Sequence, residues 1–270
     1  AGIWAQQLQV TTGANEVSAD HSKVQAVDTD SGAPAFALDV GALGGMYSQK
    51  IVLVGTERGV GVRNAGAIGA HVGQVVVTAD GRLENSGTIQ AKADTQIQAN
   101  DGLANTGVIS AGRELSIDSV KDIDNRQGTL NARRVAIKAQ SLDNQAGTIE
   151  QAGTQSLSLS AAQISNREGG RIGLIAQDSS SGEPPPSGTG VDGETGGTGA
   201  NPAPGTGQEG TGVGSVAPLE PGQLDIATSL DNTGGRIVAG GNINMLAKAG
   251  LNNDGGHLGL GRLEVSDGDL

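Results

Sequence analysis

Four acidic residues recur at one position of a pattern in this 270-residue chain: Glu84, Asp124, Asp143 and Asp231. Each follows an aliphatic residue and precedes an Asn. Acids gathered on one face can hold a cation, raise one another's pKa, or supply the base of a polysaccharide lyase, which also needs a neutralising cation nearby. Asp124 and Asp143 are one repeat apart, so stacked repeats would bring them to about 5 Å. The acids are scattered, however, and no cluster of bases accompanies them. A solvated charged face is the expectation. His21, His71 and His257 lie far apart with no metal-ligand spacing, so no metal site is expected. "GVGVRNAG" at 59–66 echoes a phosphate loop but lacks the Lys-Ser/Thr and is followed by no helix pattern; it reads as a β-turn. The serines have no His/Asp partners at a recognisable spacing. No cofactor and no enzymatic activity are expected.

The elements that position these residues are repeats. An aliphatic residue falls at Val62, Leu83, Leu103, Ile123, Leu142, Ile164, Leu230 and Leu251, in steps of 21, 20, 20, 19, 22, 66 and 21. Two positions on comes Asn: Asn64, Asn85, Asn105, Asn125, Asn144, Asn166, Asn232 and Asn253. A Gly follows at Gly66, Gly87, Gly107, Gly128, Gly147, Gly170, Gly235 and Gly256. Two residues after each Gly stands a second aliphatic, from Ile68 and Ile89 to Ile237 and Leu258. Removing 178–222, 45 residues, turns the step of 66 into 21. That segment holds seven of the eight prolines, four Gly-Thr-Gly triplets, six acids and no Lys or Arg. Such a composition buries too little apolar surface to offset its ordering entropy, which predicts a disordered loop thrown out from one coil.

A period near 20 residues means stacked units. Stretches such as "VAIKA" at 135–139 and "LSLSA" at 157–161 alternate with period two, as strands do. Each coil therefore carries one strand around the Asn-Gly motif and another some twelve residues on. Strands too short to stand alone pair with their equivalents in the coils above and below. Crossovers between parallel strands are right-handed. The expected fold is all-β: a right-handed parallel β-helix with aliphatics inward, Asn amides bonded coil to coil in a ladder, and Gly supplying the positive φ of each turn.

Composition narrows the partners. The net charge is −12, which repels nucleic acid and anionic lipid. There is no Cys and no apolar run long enough for a membrane helix, so membrane insertion is not expected. The only aromatics are Trp4, Phe36 and Tyr47. The repeats therefore offer no aromatic platform for a sugar, and no receptor groove is placed on them. The chain begins "AGIWAQ", with no visible leader, and stops inside a repeat, as a piece of a longer chain would.

One stretch is more specific. In 35–64, Leu43, Gly44, Gly45, Met46 and Tyr47, then Gly55, Thr56 and Glu57, then Gly61 and Arg63, resemble the distal end of the secretion domain of two-partner secretion exoproteins. These are the filamentous-haemagglutinin-like adhesins and contact-dependent growth-inhibition proteins of Gram-negative bacteria. The later repeats are similar to their haemagglutinin repeats. The resemblance implies a secreted or cell-surface filament, exported through an outer-membrane β-barrel transporter, with host-cell or neighbouring-bacterium receptors met by regions outside this chain. The early secretion domain and any C-terminal effector are absent, so the piece alone should not be export-competent. Four regions follow: 1–61, the distal secretion-like part; 62–177, haemagglutinin-like repeats; 178–222, the Gly/Pro/Thr-rich acidic insert; and 223–270, further repeats. The expected function is a structural shaft that projects an adhesive or toxic region. Direct receptor binding by the coils, and a polysaccharide-active enzyme, are the alternatives.

Overall fold

The computed structural model describes residues 2–19, 23–27, 34–153, 157–173, 222–238, 242–247, 250–259 and 262–265. The acidic insert lies outside them except for Gly222, which opens a strand. No helix occurs among the described residues, and the strands stack as a parallel β-helix. One exposed antiparallel pair, Asn15–Val17 with Val24–Ala26, stands apart.

Each coil contains three strands rather than two. In the coil of Leu83 they are Leu83–Asn85, Thr88–Ala91 and Thr95–Ala99. The motif strand is cut at its Asn-Gly corner, where the chain passes from one face to the next. Its first part joins a 17-stranded sheet and its second a 10-stranded sheet. The larger sheet is two ladders, joined by strands such as Ser158–Ser165 that run through both.

Through the motif strands register is held residue for residue, with single irregularities between Phe36 and Leu38 and between Ala161 and Gln163. Leu83 pairs with Val62 on one side and Leu103 on the other; Ile89 pairs with Ile68 and Ile109. Across the insert, Ile164 pairs with Leu230 and Ile172 with Ile237. Like side chains therefore stack on like, one about every 4.8 Å. The buried aliphatics form one continuous core from Val40 to Ile237. Small Ala70, Ala91, Ala111 and Ala132 are buried at the end of each second strand. Leu251, in the last motif, is 38% exposed, because no described strand stacks beyond it in that ladder.

Candidate functional site

The repeated polar residues meet at the corners. Each motif Asn lies in register with the next. Asn64 Nδ2 donates to Asn85 Oδ1 at 2.8 Å, Asn85 to Asn105 at 2.7 Å, Asn105 to Asn125 at 2.7 Å and Asn125 to Asn144 at 2.7 Å. The row continues through Asn166 (2.8 Å), Asn232 (2.7 Å) and Asn253 (2.6 Å). The link from Asn166 to Asn232 joins residues 66 apart in sequence. Most of these amides also donate to the carbonyl of their own corner Gly, as Asn85 does to Gly87 at 3.2 Å. Such bonds satisfy groups that would be costly to bury unpaired. The row has a head: Asn64 Oδ1 is buried without a partner, because Val40 occupies its place in the preceding coil.

The corner glycines do not supply positive φ. None of the eight adopts it. They are required by close approach instead. A Cβ on Gly87 would lie 2.0 Å from the Gly66 carbonyl oxygen, on Gly107 2.1 Å from that of Gly87, and on Gly147 2.1 Å from that of Asn125. The obstacle is backbone in each case and cannot swing away.

Two kinds of corner emerge. At 64–66, 85–87 and 105–107 one residue separates Asn from Gly; from Asn125 onward two or more do. In the short corners N–H groups reach the preceding coil: Ser86 and Gly87 both donate to the Asn64 carbonyl, at 2.9 and 3.1 Å. The long corners close on themselves, Gly128 N donating to Asn125 O at 3.1 Å and Gly147 N to Asn144 O at 3.0 Å. Their extra residue takes the left-handed conformation: Gln127 at φ 61°, Ala146 at 54°, Gly234 at 63° and Gly255 at 60°. That is the position which needs positive φ in a type II turn.

The acidic column belongs to these long corners. Asp124 Oδ1 accepts from Arg126 N, Asp143 Oδ1 from Gln145 N and Asp231 Oδ1 from Thr233 N, each at 3.1 Å. Each side chain bonds the backbone two residues on, as Asp and Asn do in turns. Arg126 also lays its guanidinium between two carboxylates, 2.5 Å from Asp124 and 3.8 Å from Asp143. Its hydrogen bond is the main reason that the Asp124 carboxyl is held below the ordinary range, and Arg126 is raised in turn. Arg167 lies 3.7 Å from Asp231. Glu84 sits in a short corner, 3.9 Å from Arg82, and Ala104 interrupts the column after it. The carboxylates are thus distributed among cations and turn amides, and no group of three or more metal-ligating side chains gathers among the described residues. Sequence reasoning missed Arg126 as the neutralising group. The signal was Asp-Asn followed by two residues and Gly, against Asn followed by one.

The signature residues sit at the start of the stack. Gly44 N closes a turn on Gly41 O at 2.7 Å, with Leu43 at its tip. Gly45–Ser48 is a strand with Met46 buried and Tyr47 outward. Gly55 ends the strand Lys50–Gly55, and Glu57 follows in the next turn. The Thr56 hydroxyl donates to Asn15 Oδ1 at 2.5 Å, tying down the antiparallel pair. A Cβ on Gly61 would meet the Arg82 carbonyl oxygen at 2.3 Å. Arg63 forks onto Asp39, Nε to Oδ1 at 3.0 Å, and lies 5.0 Å above the Phe36 ring. That hydrogen bond lowers the Asp39 pKa and raises that of Arg63. His71 and His257 stand on different coils, and His21 lies outside the described residues.

Comparison with known proteins agrees with this geometry. The haemagglutinin repeat model matches residues 10–87, 72–133, 119–178 and 222–270. The chain is 49% identical over 110 residues to "Toxin CdiA" of Yersinia pestis, covering 40% of this chain and 3% of that protein. It is 41% identical over 132 residues to "tRNA nuclease CdiA" of Escherichia coli strain NC101, covering 49% and 4%. It is 41% identical over 99 residues to "16S rRNA endonuclease CdiA" of Enterobacter cloacae, covering 37% and 3%. The chain thus spans only a few per cent of these relatives, and the matched stretches are repeats, not nuclease domains. No solved structure matches. An unbroken parallel stack whose repeated residues are spent on corners and core, matched by the repeat model over most of its length, is a member of the haemagglutinin-repeat family.

Proposed function

We propose that the chain is a structural shaft segment of a large bacterial exoprotein, of adhesin or contact-dependent inhibition type, that holds a distal adhesive or toxic region away from the cell. The parent is a secreted or cell-surface protein of Gram-negative bacteria. The observation that supports this most is the coil-to-coil register of the Asn row, which runs from Asn64 to Asn253. A stack of this kind sets distance: each coil adds about 4.8 Å along the axis. The coils themselves are read as non-catalytic, because the acids of the repeated column serve turns and ion pairs. Among the described residues no helix is long and apolar enough to cross a membrane. In the intact protein an outer-membrane two-partner-secretion β-barrel is the export partner. A receptor on a host cell or a neighbouring bacterium is met by regions outside this chain. Neither nucleic acid nor bilayer is a partner of the coils.

The test is a ruler experiment in the intact exoprotein. Deleting whole coils between Val62 and Gln151 in steps should shorten the particle seen by electron microscopy in proportion, with export retained. A particle of unchanged length would refute the reading.

A further inference from the structure

The outward face of the ten-stranded sheet carries an interrupted stack of rings. Trp4 pairs with Tyr47, Tyr47 with Gly69 and Gly69 with Gln90 on four successive rungs. The alternate residues Met46, Ile68 and Ile89 are buried, so this row faces out. The Trp4 and Tyr47 rings stack at 4.5 Å, 24° from parallel. Tyr47 leans across Gly45, where a Cβ would collide with the ring at 2.6 Å. On the third rung the side chain is missing, because Gly69 has none. The result is a depression of about 350 Å³ beside Tyr47, bounded by Gly69, His71, Thr88, Gln90 and Lys92. The rungs of Tyr47 and Gln90 are two coil spacings apart, about 9.6 Å. That spacing admits one ring against Tyr47, bordered by the His71 imidazole, which lies parallel to Tyr47.

The chemistry of the rim limits what that ring is. Thr88, Gln90, Lys92 and His71 make no side-chain hydrogen bond or ion pair among the described residues, and neither does the Tyr47 hydroxyl. The His71 ring lies within 9° of parallel to Tyr47, with centroids 6.1 Å apart. One aromatic wall, a bare glycine floor and a fringe of unused donors and acceptors suit a ring that is apolar on its face and polar round its edge. A pyranose has that form. Among the described residues no carboxylate borders the depression, while Lys92 does, in a chain of net charge −12. A negative substituent on the sugar is therefore favoured there.

We propose that the slot over Gly69, between Tyr47 and Gln90, binds a pyranose that carries a carboxylate, with its face on Tyr47 and its acid on Lys92. The aromatic wall comes from upstream of the repeats, while the polar fringe comes from their first coils. The site is independent of the shaft reading and survives if that reading fails. A hexuronate from an animal polysaccharide and one from a bacterial capsule present the same ring.

Trp4 is the single tryptophan of the chain, so its emission reports on the stack directly. The experiment titrates the whole chain with methyl β-glucuronide and with methyl β-glucoside, reading Trp4 fluorescence and saturation-transfer NMR. Saturable binding of the glucuronide, about tenfold weaker for the glucoside and for Lys92→Gln, is expected; tenfold corresponds to about 1.4 kcal/mol. Gly69→Leu should abolish binding while leaving the far-UV circular dichroism and unfolding midpoint intact. Its Cβ would stand at an ordinary 3.5 Å from the Tyr47 ring and needs no unusual φ. Fragments of an animal glycosaminoglycan and of a uronate-containing bacterial capsule then distinguish the two sources. No saturable signal with either glycoside, equal affinity for both, or undiminished binding by folded Gly69→Leu would overturn the proposal.

Discussion

The first three corners and the later ones join the same two faces of the stack by different means. The short corners at Asn64, Asn85 and Asn105 lean on the coil before them, through bonds such as Gly107 N to Asn85 O at 3.2 Å. The long corners from Asn125 onward close internally and reach toward the coil after them, as Gln127 N does to Gln145 O at 3.1 Å, and all but the Asn166 corner, where Ser165 stands, take an Asp or Asn side chain onto the turn backbone. A short corner is completed by its neighbour, whereas a long corner carries its own closure and places one residue in the left-handed region, or two in the longer Asn166 corner, where Glu168 and Gly169 both adopt it. The comparison accounts for the acidic column: Asp124, Asp143 and Asp231 are the turn acceptors of long corners, while Glu84 belongs to a short one and has no such bond.

The largest effect should come from what both classes share. Gly107→Ala and Gly147→Ala each drive a Cβ into a backbone oxygen 2.1 Å away. Each is expected to cost about 3 kcal/mol or more, read as a lowered urea midpoint. Tolerance in one class alone would show that the glycines do not have a common role. Next come the acids. Asp124→Ala removes a turn acceptor and an ion pair and should cost about 1 kcal/mol by the same readout, while Glu84→Ala stays within about 0.5 kcal/mol. Asp124→Asn, which keeps the oxygen, should fall between them.

Glycine placed at the extra residue separates the classes by sign. Gln127→Gly relieves a left-handed side chain and should gain about 0.5–1 kcal/mol. Ser86→Gly, in a short corner without such a residue, should lose about 0.5 kcal/mol. Two losses would break the distinction. The smallest effect is a pH dependence. Because the folded Asp124 carboxyl lies below its unfolded value near 3.9, its contribution is complete above that value and lost as pH falls through the lowered one. Arg126→Ala should flatten the stability profile below about pH 4. An identical acid limb would contradict the assignment.

Much of the fold was legible because period and alternation are backbone-level constraints. Val62, Leu83 and Leu103 had to stack if strands repeat every twenty or so residues, and removing the insert kept Ile164 above Leu230. The third strand was not legible, since the cut at Asn85–Thr88 is a change of direction that hydrophobicity does not record. The reason for glycine was misread for a related cause. Positive φ is a local property, whereas the closeness of Gly87 to Gly66 belongs to the stack. Local spacing did contain the two corner classes, in whether one or more residues follow Asn before Gly. The slot at Gly69 was hidden because its wall and its fringe come from rungs more than forty residues apart, Tyr47 to Gln90.

The account rests on the polar repeat being buried structure that continues from one corner class into the other. Asn105 stands at that junction, the last short corner, bonded to Asn85 and Asn125 at 2.7 Å each and fully buried. Urea unfolding of Asn105→Ala tests this directly. Truncation leaves the buried Asn125 Oδ1 without its donor and removes the shortest bond of the Asn85 amide, which keeps Gly87 O and Val108 O, and should lower stability by about 1–3 kcal/mol. An unchanged midpoint would contradict it.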